Sequence, residues 1–345
     1  MKLSDVNQKI IHAVIKKAET VCPGSLALIG VYGSVCTGDI HDKSDLDLMI
    51  LINDDAGWQL SDGFIIDDNM VGYDIYCTTW SMLEEEAQCR HAHLAKLMDS
   101  EIVYVADCAA VSKWEELKLR ADLVLKSEKR FECVDHIMKD AKKVYADTML
   151  AETISEVRLY ASYCIELLLN AVMIENGKYF HRGVKRTFEE LEGLPLPIGF
   201  VDNIYSVITA SETAGLKRSL TALLRSAVIF TKREKEKEQP SENNIAGTYE
   251  EMFSNWRNKM EEAADKKDVF SSFMNLASLH LMIDEIAEDV AIEPFNRMDK
   301  YCPGDLESNV AVFDDALNTY LLEYKKIGIS SKHFASVEDF LDCYL

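Results

Sequence analysis

Residues 33–52 read Gly33-Ser34-Val35-Cys36-Thr37-Gly38-Asp39-Ile40-His41-Asp42-Lys43-Ser44-Asp45-Leu46-Asp47-Leu48-Met49-Ile50-Leu51-Ile52. The apolar run at 45–52 predicts a strand, and so does the run at 25–33 that leads into the Gly-Ser pair. Between them, Gly33 and Ser34 open a turn or short helix, where free backbone N–H groups and a hydroxyl can hold phosphate oxygens without a lysine. Asp45 and Asp47 are two apart in an extended segment, so their side chains share one face. Carboxylates held side by side raise each other's pKa unless a cation sits between them. Hard oxygen donors with an incomplete shell, completed by substrate phosphates, suit Mg2+ better than Zn2+.

A third acid, Asp74, follows in Gly72-Tyr73-Asp74-Ile75-Tyr76, within a run at 72–80 that also reads as a strand. If that strand pairs beside the Asp45 strand, Asp74 closes a three-carboxylate cluster able to hold two metal ions ~3.5–4 Å apart. One ion would lower the pKa of an attacking hydroxyl, and the other would neutralise a triphosphate and its leaving pyrophosphate. The pattern of Gly33-Ser34, Gly38, Ser44-Asp45-Leu46-Asp47-Leu48 and a later strand Asp74 resembles the DNA polymerase β-type nucleotidyltransferase superfamily, over about 50 residues. The resemblance implies an α+β nucleotidyltransferase domain, a mixed sheet with helices. It also implies Asp45 and Asp47 as ligands of both Mg2+ ions, with Asp74 as ligand of the catalytic metal and candidate proton acceptor. Gly33 and Ser34 would bind the triphosphate of ATP or another nucleoside triphosphate, and Ser44 would support the Asp45 turn.

Outward from the motif, an amphipathic helix is expected at 4–20, a polar helix at about 80–98 and a strand at 101–106, completing a catalytic domain at 1–108. Residues 109–345 read as a larger all-α helical bundle, broken by a charged, exposed loop at about 232–247. Tyr160, Cys164, Ile165, Leu168, Leu169, Val172 and Met173 keep i, i+3, i+4 spacing and are expected at its centre. A catalytic domain followed by a helical domain resembles the antibiotic nucleotidyltransferases, which adenylylate hydroxyls of aminoglycosides or lincosamides. The stretch Asn176-Gly177-Lys178-Tyr179-Phe180-His181-Arg182-Gly183-Val184-Lys185-Arg186 resembles a segment of helical domains in bacterial nucleotidyltransferases. From it Lys185 is the first choice to reach back to the triphosphate; the competing reading is a solvated turn and helix start. Some relatives use a glutamate of the helical domain as general base, for which Glu152, Glu156 and Glu166 are candidates and Glu152 is preferred.

Lys plus Arg number 37 against 59 Asp plus Glu, a net charge of −22. Such a surface repels phosphate backbones, which argues against a nucleic-acid substrate. Residues 1–108 hold 18 acids and 7 bases, about twice the negative charge density of the remainder, as fits carboxylates that hold metal or face a cationic ligand; plain solubility explains it too. Nine scattered cysteines without a C-x-x-C pair read as reduced thiols in a cytoplasm, and no run approaches the ~18 apolar residues of a membrane span. Cys36 and Cys77 read as small apolar packers. His91 and His93, two apart on an expected helix, point to different faces and suggest no metal site.

Three functions remain open. The first is Mg2+-dependent adenylylation of a small, cationic, aminoglycoside-like acceptor by a monomer or homodimer. The second is modification of a protein or a tRNA, as in a toxin-antitoxin pair. The third is a non-catalytic nucleotide-binding regulator that keeps the fold.

Overall fold

The computed structural model describes residues 3–41, 44–68, 70–293 and 296–345; Asp42 and Lys43 of the motif lie outside them. Ser4 starts helix α1 (Asp5–Val21) by accepting the Asn7 N–H on its hydroxyl at 3.1 Å. Then follow β1 (Leu26–Val31), the single turn α2 (Ser34–Thr37) and β2 (Leu48–Ile52). After a 3-10 turn at Asp55–Leu60 come β3 (Asp62–Ile66), β4 (Val71–Ile75) and β5 (Cys77–Thr79). Helices α3 (Trp80–Glu86) and α4 (Ala95–Met98) lead to β6 (Glu101–Val105).

The sheet runs β5-β2-β1-β6, with β1 antiparallel to β2 and β6 and β2 parallel to β5: the expected mixed sheet. Its central strands are buried on both faces, and the two-residue period of β2 sorts its side chains. Leu46, Leu48, Ile50 and Ile52 pack with Ile11, Val14 and Ala18 of α1, whereas Met49 and Leu51 join the core formed with the helices that follow. Asp45 and Asp47 continue the second of these rows.

Two expectations need correction. The run at 72–80 divides: β4, which carries Asp74, pairs with β3 in a separate hairpin, and β2 takes β5 as its neighbour. The helix expected at 80–98 also divides, because residues 87–94 fold as turns with Cys89 at φ +54°. Long-range bonds hold that break open: Ala92 N–H donates to Asn170 Oδ1, and Phe180 N–H donates to the Ala92 carbonyl, each at 2.8 Å.

Helices α5 (Cys108–Lys126), α6 (Lys129–Leu150) and α7 (Ile154–Glu175) come next. A 3-10 turn at Val184–Arg186, α8 (Thr187–Leu191), α9 (Phe200–Thr209) and α10 (Thr213–Phe230) complete the first compact unit, residues 1–232. The boundary drawn at 108/109 falls inside this unit, at the start of α5. On α7, Cys164, Ile165, Leu168, Val172 and Met173 are buried as expected, while Tyr160 is 37% exposed. Although the sequence shows no long apolar run, α7 is by length and composition apolar enough to cross a membrane; half of that window is buried within the fold.

The second unit, residues 233–345, contains α11 (Glu242–Ile245), α12 (Thr248–Met252), a π turn (Phe253–Arg257), α13 (Asn258–Lys266) and α14 (Val269–Asp289). It ends with α15 (Leu306–Lys326) and α16 (Val337–Tyr344) around a core that includes Leu276, Ile283, Phe313 and Tyr320. The charged stretch at 233–240 is largely exposed, and a parallel bridge from Glu238 to Val290, the Lys237 Nζ bond to the Ala287 carbonyl and the Lys235–Asp289 ion pair tie it down.

Candidate active site

Beyond the end of β1, Tyr32 N–H donates to the Asp47 carbonyl at 3.1 Å, which fixes Asp47 opposite the start of the bend. Gly33 then takes φ +69° and ψ −143°, a conformation open in practice only to glycine. A Cβ there would lie 1.9 Å from Asp47 Oδ2, so the absence of a side chain is what lets this carboxylate lie over the bend. Ser34 N–H donates to the Asp47 carboxylate, and the Gly33 carbonyl accepts from Cys36 and Thr37 at 3.0 Å each. The Ser34 amide, expected to be free for phosphate, is therefore engaged. Its hydroxyl is not: Ser34 Oγ is buried and without a partner.

Ser44 closes the approach to Asp45 by accepting His41 N–H on Oγ at 2.9 Å while its own N–H donates to the His41 carbonyl at 2.8 Å. Burial, and then the neighbouring Asp45 charge, push the Asp47 carboxyl above the usual carboxylate range. On β4, Val71, Tyr73 and Ile75 turn inward and leave Asp74 exposed on the other side. The β2–β5 pairing covers only Ile50–Ile52 against Cys77–Thr79, while Asp74 pairs with Gly63 in the β3–β4 hairpin and does not line the cavity that holds Asp45 and Asp47. Burial raises the Tyr32 phenol, and the charges of Asp47, Glu86, Asp45 and Asp74 raise it further, so all three aspartates bear on one group. Among the described residues, no three His, Cys, Asp or Glu are gathered closely enough to hold an ion unaided.

Gly33, Ser34, Ser44, Asp45 and Asp47 line one cavity of about 430 Å3, and Lys185 lines it from the 176–186 segment. That volume is in the range of small-molecule sites. Lys185 is exposed and held by no ion pair among the described residues, unlike its neighbours. Arg182 Nε stands 3.4 Å and Arg186 Nη2 3.2 Å from the Asp39 carboxylate, which ties this segment to the turn after α2.

The sequence did not point to several residues of the wall. Glu86, the last of three consecutive glutamates, is buried and paired with Lys96 at 3.0 Å; its burial raises its pKa, against the opposing pull of Lys96. His93 reaches the cavity because the expected helix breaks, and its ring stacks on Phe180 at 5.3 Å. His181, read only as part of a basic turn, is bound by Asp99.

Glu152 is not brought to the cavity. It is exposed beside the Thr153 cap of α7, whereas the wall residues follow the opposite end of that helix. A helix of 22 residues spans ~33 Å, so its two ends cannot serve one site. Glu156 is spent in the capping box with Thr153, and Glu166 is exposed on the bundle surface.

No protein-family model matches the chain, and no curated protein matches it. Among the solved structures that match is a nucleotidyltransferase-like protein from Exiguobacterium sibiricum 255-15, at 10% identity and a TM-score of 0.34, covering 64% of this chain and 76% of that one. The functional reading rests on the residues of the cavity.

Proposed function

We propose that the chain is a Mg2+-dependent nucleotidyltransferase that moves a nucleoside monophosphate, AMP from ATP, onto a hydroxyl of a small cationic acceptor of the aminoglycoside kind, in a reducing cytoplasm. The observation that carries this reading is one cavity lined by the carboxylates of Asp45 and Asp47, by the buried Ser34 hydroxyl and by Lys185, the hydroxyl without a hydrogen bond and the lysine without an ion pair among the described residues. An incomplete oxygen shell beside groups that suit phosphate oxygens fits Mg2+ carried on a triphosphate. Asp45 and Asp47 would hold that metal, and Asp74, whose charge also bears on Tyr32, is the candidate third acid. When bound, Mg2+ offsets carboxylate repulsion and the charge of the departing pyrophosphate.

The protein's own groups do the rest. Gly33 lets Asp47 lie over the bend, Ser34 Oγ donates to a phosphate oxygen in place of its missing partner, and Lys185 pairs with the triphosphate. The pair of buried Glu86 and half-buried Lys96 lines the cavity from α3 and α4. A cationic acceptor is favoured by the net charge of −22, because a surface of one sign concentrates ligands of the other.

The test is pyrophosphate release from each nucleoside triphosphate with Mg2+ and a panel of aminoglycosides and lincosamides. Release should need the metal and disappear in Asp47→Ala. Metal-independent release, or an Asp47→Ala enzyme as fast as the parent, would overturn the reading.

A further inference from the structure

Resting on nucleotidyl transfer as the reaction, the geometry points to His181, oriented by Asp99, as the group that takes the proton from the acceptor hydroxyl, with the acceptor seated in a second cavity next to the first. This second cavity, about 500 Å3, is lined by Met173, Lys178, Tyr179, Glu189, Glu190 and Leu194. It shares Thr37, His181 and Arg182 with the carboxylate cavity. If the triphosphate lies against Asp45 and Asp47, a hydroxyl entering from the second cavity loses its proton at this shared wall.

Of the three shared residues, only one can accept that proton near neutral pH. A guanidinium has no acceptor and stays charged. The Thr37 hydroxyl is a very weak base and is directed at Asp39 Oδ2, 3.3 Å away. The His181 imidazole remains, and it is held from several sides. Its Nδ1 lies 2.8 Å from Asp99 Oδ2, while Asp99 Oδ1 accepts the Tyr179 hydroxyl at 2.7 Å. The Tyr179 and His181 rings sit 4.2 Å apart. The Glu190 carboxylate accepts the backbone N–H groups of His181 and Arg182, at 2.8 Å each. With Nδ1–H given to Asp99, Nε2 keeps its lone pair and has no protein partner among the described residues. This is the arrangement in which a carboxylate fixes the tautomer of an imidazole base.

The charged groups around the ring act together. The Asp99 hydrogen bond raises the imidazole pKa first, the charges of Asp99 and Glu190 raise it further, and burial and Lys178 oppose them. In the step itself the acceptor O–H proton passes to Nε2 and the oxygen bonds to the α-phosphorus. The bond from that phosphorus to the bridging oxygen breaks, and pyrophosphate leaves with the electron pair. The side chain is 48% exposed, so the imidazolium returns its proton to water after the product departs.

The experiment compares the parent, His181→Gln and Asp99→Asn by two readouts. The first is calorimetric affinity for Mg2+ with a non-cleavable α,β-methylene triphosphate. The second is the pH profile of pyrophosphate release, with the aminoglycoside panel and with water as the only acceptor. His181→Gln should lose ~10²-fold or more in release with analogue affinity within about threefold, the size expected of a general base. Asp99→Asn should keep part of the rate and move the acid limb of the profile to lower pH, a shift that a merely structural aspartate would not produce. Release by folded His181→Gln within about threefold of the parent, or an Asp99→Asn limb that stays in place, would overturn the assignment. Should His181→Gln not fold, the Asp99→Asn limb decides alone. A parent that binds no analogue would instead overturn nucleotidyl transfer itself, and the role of the pair with it.

Discussion

The core of the second compact unit and the cavity wall of the first treat their buried polar groups differently. In the second, the Tyr320 and Thr248 hydroxyls meet at 2.7 Å, and Tyr324 Oη accepts Tyr249 N–H at 3.0 Å while donating to Glu250 at 3.1 Å. Buried Asn309 donates to Ser272 Oγ at 3.2 Å and to the Cys302 carbonyl at 2.9 Å. Around the cavity of the first unit, Ser34 Oγ and Glu86 Oε2 are buried with no hydrogen-bond partner among the described residues. A polar group left unmade costs ~1–3 kcal/mol, so such groups persist where a ligand satisfies them. In the cavity wall, such groups leave hydrogen-bonding capacity that a polar ligand could meet.

The comparison would break if a change to the second unit's core left stability untouched. Phe313 is fully buried there, and Phe313→Ala should cost ~3–5 kcal/mol, read from the urea midpoint, with pyrophosphate release by the folded fraction unchanged. At the cavity the effects should run the other way. Asp47→Asn should lose ~10²–10³-fold in release and yet melt higher than the parent in metal-free buffer at neutral pH. The sign follows from the raised carboxyl: a folded-state pKa above the unfolded one means that ionised Asp47 opposes folding above that pKa, and asparagine removes the charge. A lower melting temperature would show that the carboxylate is structural.

Smaller effects sharpen the contrast. Tyr324→Phe leaves Tyr249 N–H buried without its acceptor, for ~1–3 kcal/mol by urea denaturation and no change in nucleotide affinity. The smallest is a pH effect at His181. Its raised pKa gives stability that is fully present below the unfolded value of ~6.5 and is lost as pH rises through the folded value. The gap in melting temperature between the parent and Asp99→Asn should therefore narrow from roughly pH 5.5 to 8.5, as scanning fluorimetry would register. A gap constant across that range would mean that Asp99 does not act through the imidazole.

Much of the first unit's plan could be read from local pattern. The strand expected at 45–52, found as β2 (Leu48–Ile52), the bend at Gly33 and the long apolar periodicity of α7 are short-range signals of spacing and residue type. What stayed hidden depends on partners far along the chain. Residues 62–66 carry Asp62 and Gly63 with a weak apolar alternation, and they form a strand because residues 71–75 pair with them. Residues 87–94 contain neither Gly nor Pro to signal a break; Asn170 and Phe180 hold it open, and the break is what brings His93 to the cavity. Glu86 is indistinguishable from Glu84 and Glu85 in sequence, and only its burial singles it out.

The sequence alone determined that Asp45 and Asp47 share a face behind a glycine bend, because a two-residue period and the conformational freedom of Gly33 are local properties. Tertiary structure decided which charges face one another. It set β5 beside β2 and Asp74 in a separate hairpin with β3, paired Asp99 with His181, and left Glu152 at the far end of α7. Those outcomes depend on chain reversals and hydrogen bonds between residues tens of positions apart, and no window of sequence contains both partners.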